Sequence, residues 1–127
     1  GQSLIGASKA VFDTDATGQP VLRLNLDFDR AWATVSQALD NAGVAITDLD
    51  RTERVFYIEL PQEVLTGEPV KKGLFGWRRN RDLLPLQILL VPGIEGGFQV
   101  SAVDAAAVAI ESSQAREVLN LIREYAI

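Results

Sequence analysis

Apolar and polar positions alternate from Val21 to Phe28: Leu22, Leu24, Leu26 and Phe28 share one side, while Val21, Arg23 and Asn25 take the other. That period of two predicts a half-buried strand. Asp29 ends the alternation, and its short carboxylate is suited to accept the orphan backbone N–H groups of a following helical turn. Ala31, Trp32, Val35, Ala38, Leu39 and Ala42 then recur at helical spacing, which predicts a helix over residues 30–42 with one apolar stripe. Gly43 offers the left-handed exit. Val44 and Ile46 mark the apolar face of a second strand, and Phe56, Ile58 and Leu60 that of a third. Asp50, Arg51, Thr52 and Glu53 form the turn between them.

Beyond Leu60 the pattern breaks into a long connection, residues 61–82, punctuated by Pro61, Gly67, Pro69, Gly73 and Gly76. Connections of that length are usually functional or disordered. Leu86 to Val91 is continuously apolar between Pro85 and Pro92, and reads as a strand. Gly93 to Gly97 turns the chain, and Phe98, Val100 and Ala102 alternate with Gln99, Ser101 and Val103 in a return strand. Ser112 or Ser113 is placed to cap a terminal helix whose inner stripe is Ala115, Val118, Leu119, Ile122 and Ala126. Arg116, Glu117, Asn120, Arg123 and Glu124 make its wet face. The expected architecture is α+β: strand, helix, four strands, helix. An antiparallel sheet of about five strands would then bury one face under two helices. Residues 1–19 read as an extended lead-in that could pair at a sheet edge, and residues 20–127 as a single domain.

Composition narrows the chemistry. The 127 residues are 47% hydrophobic and 23% charged, enough for one ordinary core. The chain has no His and no Cys, so the commonest metal ligands, the usual general base near neutral pH and the thiol nucleophile are all missing. A non-enzymatic role without cofactor or metal is the expectation. No apolar stretch approaches the ~20 residues that span a bilayer. The sequence starts at Gly1 and contains no Met, which suggests a fragment of a longer precursor whose targeting segment lies upstream. A net charge of −5 argues against general nucleic-acid binding. That average hides a reversal: Lys71, Lys72, Arg78, Arg79 and Arg81 hold five of the twelve basic residues within eleven positions. The remaining seven bases face seventeen acids, a balance of −10.

The order and spacing of particular segments resemble the helix-grip domain of the BamC family, lipoproteins of the bacterial outer-membrane β-barrel assembly machinery. The segments are the run from Gly18 through Pro20 to Leu24, Phe28-Asp29-Arg30-Ala31-Trp32 with Val35 and Leu39, the run from Gly43 to Asp48, Leu74-Phe75-Gly76-Trp77, and Leu86 to Pro92. The likeness covers roughly residues 18–127. It implies a helix-grip fold and, because the last helix ends the sequence, the C-terminal of two such domains. It also implies an acylated anchor upstream, residence at the outer membrane on the periplasmic or the external side, and no catalysis. BamD, and BamA through the complex, would be the partners. In the family the principal grip on BamD comes from a flexible N-terminal segment absent here. One departure stands out: relatives often carry an Asp-Gly-Lys-Pro type turn where this chain has Asp104 followed by Ala105, Ala106, Ala107, Val108, Ala109 and Ile110.

Several residues invite functional readings. Trp32 belongs to an apolar stripe and is expected to anchor the core. Asp48, Asp50 and Glu53 cluster at a hairpin tip and could gather around a hard cation, though turn chemistry alone accounts for them. Leu74, Phe75 and Trp77, set among Arg78, Arg79, Arg81 and two lysines, are the candidate partner-binding residues. They would insert into a partner's groove or into lipid headgroups at a membrane surface, or else fold back onto the sheet edge. A different function would place a lipid or small apolar ligand between the sheet and the terminal helix, beneath Val118, Ile122 and Phe98.

Overall fold

The computed structural model describes residues 10–66 and 83–126. Its elements run β1 (Ala10–Thr14), β2 (Pro20–Leu24), α1 (Phe28–Asn41), β3 (Ala45–Asp50), β4 (Val55–Pro61), α2 (Gln62–Thr66), β5 (Leu83–Pro92), β6 (Phe98–Asp104) and α3 (Ser112–Tyr125). The strands form one antiparallel sheet in the order β1-β2-β6-β5-β4-β3. This is the expected α+β class, with, among the described residues, six strands in place of about five and three helices in place of two.

Cross-strand pairs set the inner face. Leu22 lies opposite Val100, which lies opposite Leu90; Ala102 lies opposite Ile88, which lies opposite Phe56. All of these are buried, and they share one apolar cluster with Trp32, Val35 and Leu39 of α1 and Val118, Leu119 and Ile122 of α3. The 3.6-residue stripe of each long helix therefore meets the period-2 face of the sheet, and α3 also packs against α1 and α2. The predicted inner positions of α1 are all buried, and so are those of α3 up to Ile122.

The differences from the expected elements have identifiable physical causes. The sixth strand, β1, comes from the segment read as a lead-in: it is short, with Ala10 and Phe12 as its inner residues, and pairs with β2 from Ala10 opposite Leu24 to Thr14 opposite Pro20. The strand predicted to reach Phe28 stops at Leu24, where β6 begins with its partner Phe98. Asp27, not Asp29, caps α1: its carboxylate accepts from the backbone N–H of Arg30 at 3.0 Å. Leu26 and Phe28 continue the alternation only because the turn and the first helical position also face the core. Glu111, without a side-chain hydrogen bond, occupies the cap of α3, while Ser112 Oγ donates to Gln19 Oε1 at 3.3 Å. Inside the long connection, Val64 and Leu65 bury one face of α2. Strand β5 runs three residues further back than predicted; Pro85 falls beyond the end of β6, where a missing N–H costs no ladder bond on that side.

Both sheet edges carry irregularities. Thr47 is the extra residue of a bulge in β3, and its hydroxyl donates to the Tyr57 carbonyl at 3.2 Å. On β1, Arg123 Nε donates to the Ala10 carbonyl at 3.3 Å and Thr14 N donates to its neighbour Asp13 Oδ1 at 2.8 Å.

Turns are held by carboxylates and by two demanding glycines. Asp104 Oδ1 accepts from Ala106 N and Val108 N, so the alanine-rich turn keeps its one essential acceptor, at the cost of a left-handed Ala107. Gly97 (φ +67°) approaches β2 so closely that a Cβ would lie 2.4 Å from the Leu24 carbonyl oxygen, whereas Gly96 (φ +99°) faces open space. Gly97→Ala should therefore cost roughly 2–4 kcal/mol and Gly96→Ala about 1 kcal/mol, read as the difference between their urea unfolding midpoints. Asp15 Oδ1 accepts from Thr17 Oγ1, Thr17 N and Gln19 N at 2.6–3.0 Å. The Thr17 hydroxyl chiefly holds this carboxyl below its ordinary 3.8. A depressed folded-state value stabilises the protein above the unfolded value and loses that contribution as pH falls through the folded one. Asp15→Asn should be less stable than the parent at neutral pH, with the gap closing on acidification below 3.8, as thermal melts across pH would record.

Candidate interaction surface

The capping choice at Asp27 fixes Phe28 in the first turn of α1, at the end of the sheet where the β3–β4 and β5–β6 turns meet. There its ring lies 5.7 Å from Trp32 and 5.5 Å from Phe98, and Trp32 stacks on Phe56 at 4.0 Å with 21° between planes. The β3–β4 turn brings two guanidinium groups onto these rings: Arg51 stands 5.2 Å and Arg54 5.7 Å from the Phe28 centroid, and Arg51 is 6.0 Å from Trp32. Arg51 also pairs with Asp29. Arg54 adopts φ +60°, and its carbonyl accepts from Leu90 N at 3.0 Å. The cluster fastens a hairpin to a helix start: the rings supply buried area and the cations a further ~0.5–1 kcal/mol each at exposed sites.

The opposite face of the sheet is built from the other half of the alternation. One row across it reads Val11, Arg23, Gln99 and Val91; the next reads Asp13, Val21, Ser101, Leu89, Val55 and Asp50; a third reads Val103, Gln87, Tyr57 and Asp48. Val21 and Val55 are buried within it, Leu89 and Val103 are half-buried, and Val91, Val11 and Tyr57 stay exposed. Arg23 lies 3.4 Å from Asp13 and 3.8 Å from Glu95. Beside it a depression of about 170 Å³ is lined by Val11, Leu24, Asn25 and Gly96. At the tip of the β5–β6 turn Ile94 is 99% exposed.

The candidate partner-binding residues Leu74, Phe75, Trp77, Arg78, Arg79 and Arg81 lie outside the described residues. Trp32 takes the core position expected of it. Asp48 accepts from Leu49 N and Asp50 from Glu53 N, so these carboxylates serve their own turn. Among the described residues no group of three acidic side chains is close enough to hold a metal. At the place proposed for an apolar ligand, Val118 and Ile122 are fully buried in the core cluster and Phe98 packs against Phe28. The ligand-binding reading gains nothing. Sequence reasoning missed the arginine–aromatic cluster because its pairing depends on which turns share an end of the sheet; the Phe28-Asp29 and Arg51-Thr52-Glu53-Arg54 spacings contain no local sign of it.

These features define a small α+β domain in which several aspartates hold turns and helix starts and three ion pairs are seen among the described residues. No family model matches the chain. It is similar to the outer membrane protein assembly factor BamC of Thiobacillus denitrificans (strain ATCC 25259 / T1), with 26% identity over 114 residues. The match covers 84% of this chain and 31% of that protein, so the chain spans about a third of the relative's length.

The aromatic end separates core from surface energetics. Trp32→Ala should destabilise the protein by ~3–5 kcal/mol. Arg51→Ala, which breaks an exposed ion pair and the guanidinium contacts with the Phe28 and Trp32 rings, should cost about 1 kcal/mol. Chemical denaturation of both variants measures the contrast.

Proposed function

We propose that this chain is the helix-grip domain of a BamC-like lipoprotein, a non-enzymatic interaction domain that supports assembly and insertion of β-barrel proteins at the outer membrane. The observation that carries this reading is the 26% identity, over most of the chain, to a protein named as an outer membrane assembly factor. The fold is compatible with it: a one-faced antiparallel sheet covered by α1 and α3 is the layout that a helix-grip domain requires. The absence of His and Cys from the sequence suits a role in contact rather than catalysis.

On this reading an acylated segment upstream anchors the protein to the outer membrane. BamD, and BamA through the complex, are the expected partners. Leu74, Phe75 and Trp77, flanked by Arg78, Arg79 and Arg81, are the residues proposed to meet a partner: aromatic anchors beside cations are the usual composition of an interface hot spot.

Photo-crosslinkers introduced singly at Phe75 and Trp77 of the full-length protein, in intact envelopes, test the proposal, with Gln37 on the exposed face of α1 as control. Adducts to a subunit of the assembly machinery or to a nascent barrel are the expected result. Lipid adducts alone would make the segment a membrane contact, and yields no higher than at Gln37 would remove it from the interface.

A further inference from the structure

The face of the sheet turned away from α1 and α3 has, among the described residues, the composition of a docking surface. Its two middle strands, β5 and β6, place Val91, Gln99, Leu89, Ser101, Gln87 and Val103 on that face, none of them charged. Carboxylates stand on the strands to either side: Asp13 on β1, Glu59 on β4, and Asp48 and Asp50 on β3. The one cation that these strands add to the face, Arg23, already lies against Asp13 and Glu95. An uncharged centre that mixes Val91, Leu89 and Val103 with neutral polar side chains, set within a charged rim, has the anatomy of a protein interface, and the sign of the rim selects the occupant. Anionic lipid and nucleic acid would both be repelled.

We propose that this face, centred on Leu89, Val91 and Tyr57, binds a protein that presents an apolar patch bordered by Lys and Arg. Tyr57 at 36% and Val91 at 44% exposure supply the accessible apolar area, and Asp48, Asp50 and Glu59 meet the partner's cations. The argument rests on the face alone and does not depend on the assembly role proposed above.

The test uses the full-length protein in cells of its host, with photo-crosslinkers at Val91 and Tyr57 and adduct positions mapped by mass spectrometry. The expected result is an identified partner protein joined at apolar residues that have Lys or Arg around them. Adduct yield should fall at least about tenfold in Asp48→Lys/Glu59→Lys and return when the facing partner cations are reversed. Because two lysines could disturb the sheet, the neutral pair Asp48→Asn/Glu59→Gln is carried alongside, with a smaller loss expected and folding checked by circular dichroism. Lipid adducts alone, adducts to residues 71–81 of the same chain, yields matching a Gln37 control, or yields indifferent to rim charge in folded variants would each overturn the proposal.

Discussion

Everything in this fold follows from a single apolar layer held between a sheet and two helices. Leu22, Val100 and Leu90 line one row of the inner face and Ala102, Ile88 and Phe56 another. Because side chains alternate along a strand, this layer also dictates what the other face must be: each inner residue assigns its neighbours to the outside. A shift of one residue in any pairing would exchange Leu89 for Leu90 or Tyr57 for Ile58, so the core and the exposed surface are specified together. The hairpin turns at one end, with the first turn of α1, lie where the layer runs out, and Arg51 and Arg54 of the β3–β4 turn close it by lying over the Phe28 ring.

The elements most legible in the sequence are those whose pattern is local and long. The stripe of α1, that of α3 and the alternation of β4 and β6 appear at the positions that period alone indicates. What the periods leave open depends on which segments meet. Residues 1–19 read as an extended lead-in able to pair at a sheet edge, and β1 does pair there, with β2; it has too few apolar residues for its period to mark it as a strand. Leu26 and Phe28 mimic two more strand positions although β2 has already lost its neighbour β6. Choosing between Asp27 and Asp29 as the cap needs the turn geometry, since both have the right side chain and only one has extended backbone just ahead of the helix. The candidate contact residues at 74–81 were legible as composition, five cations around three apolar anchors, but composition carries no position in space.

The acidic side chains have a consistent occupation. Asp15, Asp27, Asp50 and Asp104 each accept a backbone N–H at the start of a turn or helix. Such carboxylates are already committed to local backbone geometry, which leaves them poorly suited to the converging roles of an acid–base pair. The proposed function and the proposed docking face both work through surface contact and ask no catalysis of these four groups.

The irregular edges of the sheet have a consequence for company rather than for stability. An unfinished strand normally invites another chain to complete it. Here a newcomer along β1 meets an Ala10 carbonyl already taken by Arg123 and a Thr14 amide turned to Asp13. One along β3 meets the bulge at Thr47 and the charges of Asp48 and Asp50. Among the described residues, neither border offers a clean template for a further strand. Such a domain can stand beside unfolded, strand-forming polypeptides at high local concentration without recruiting them into itself.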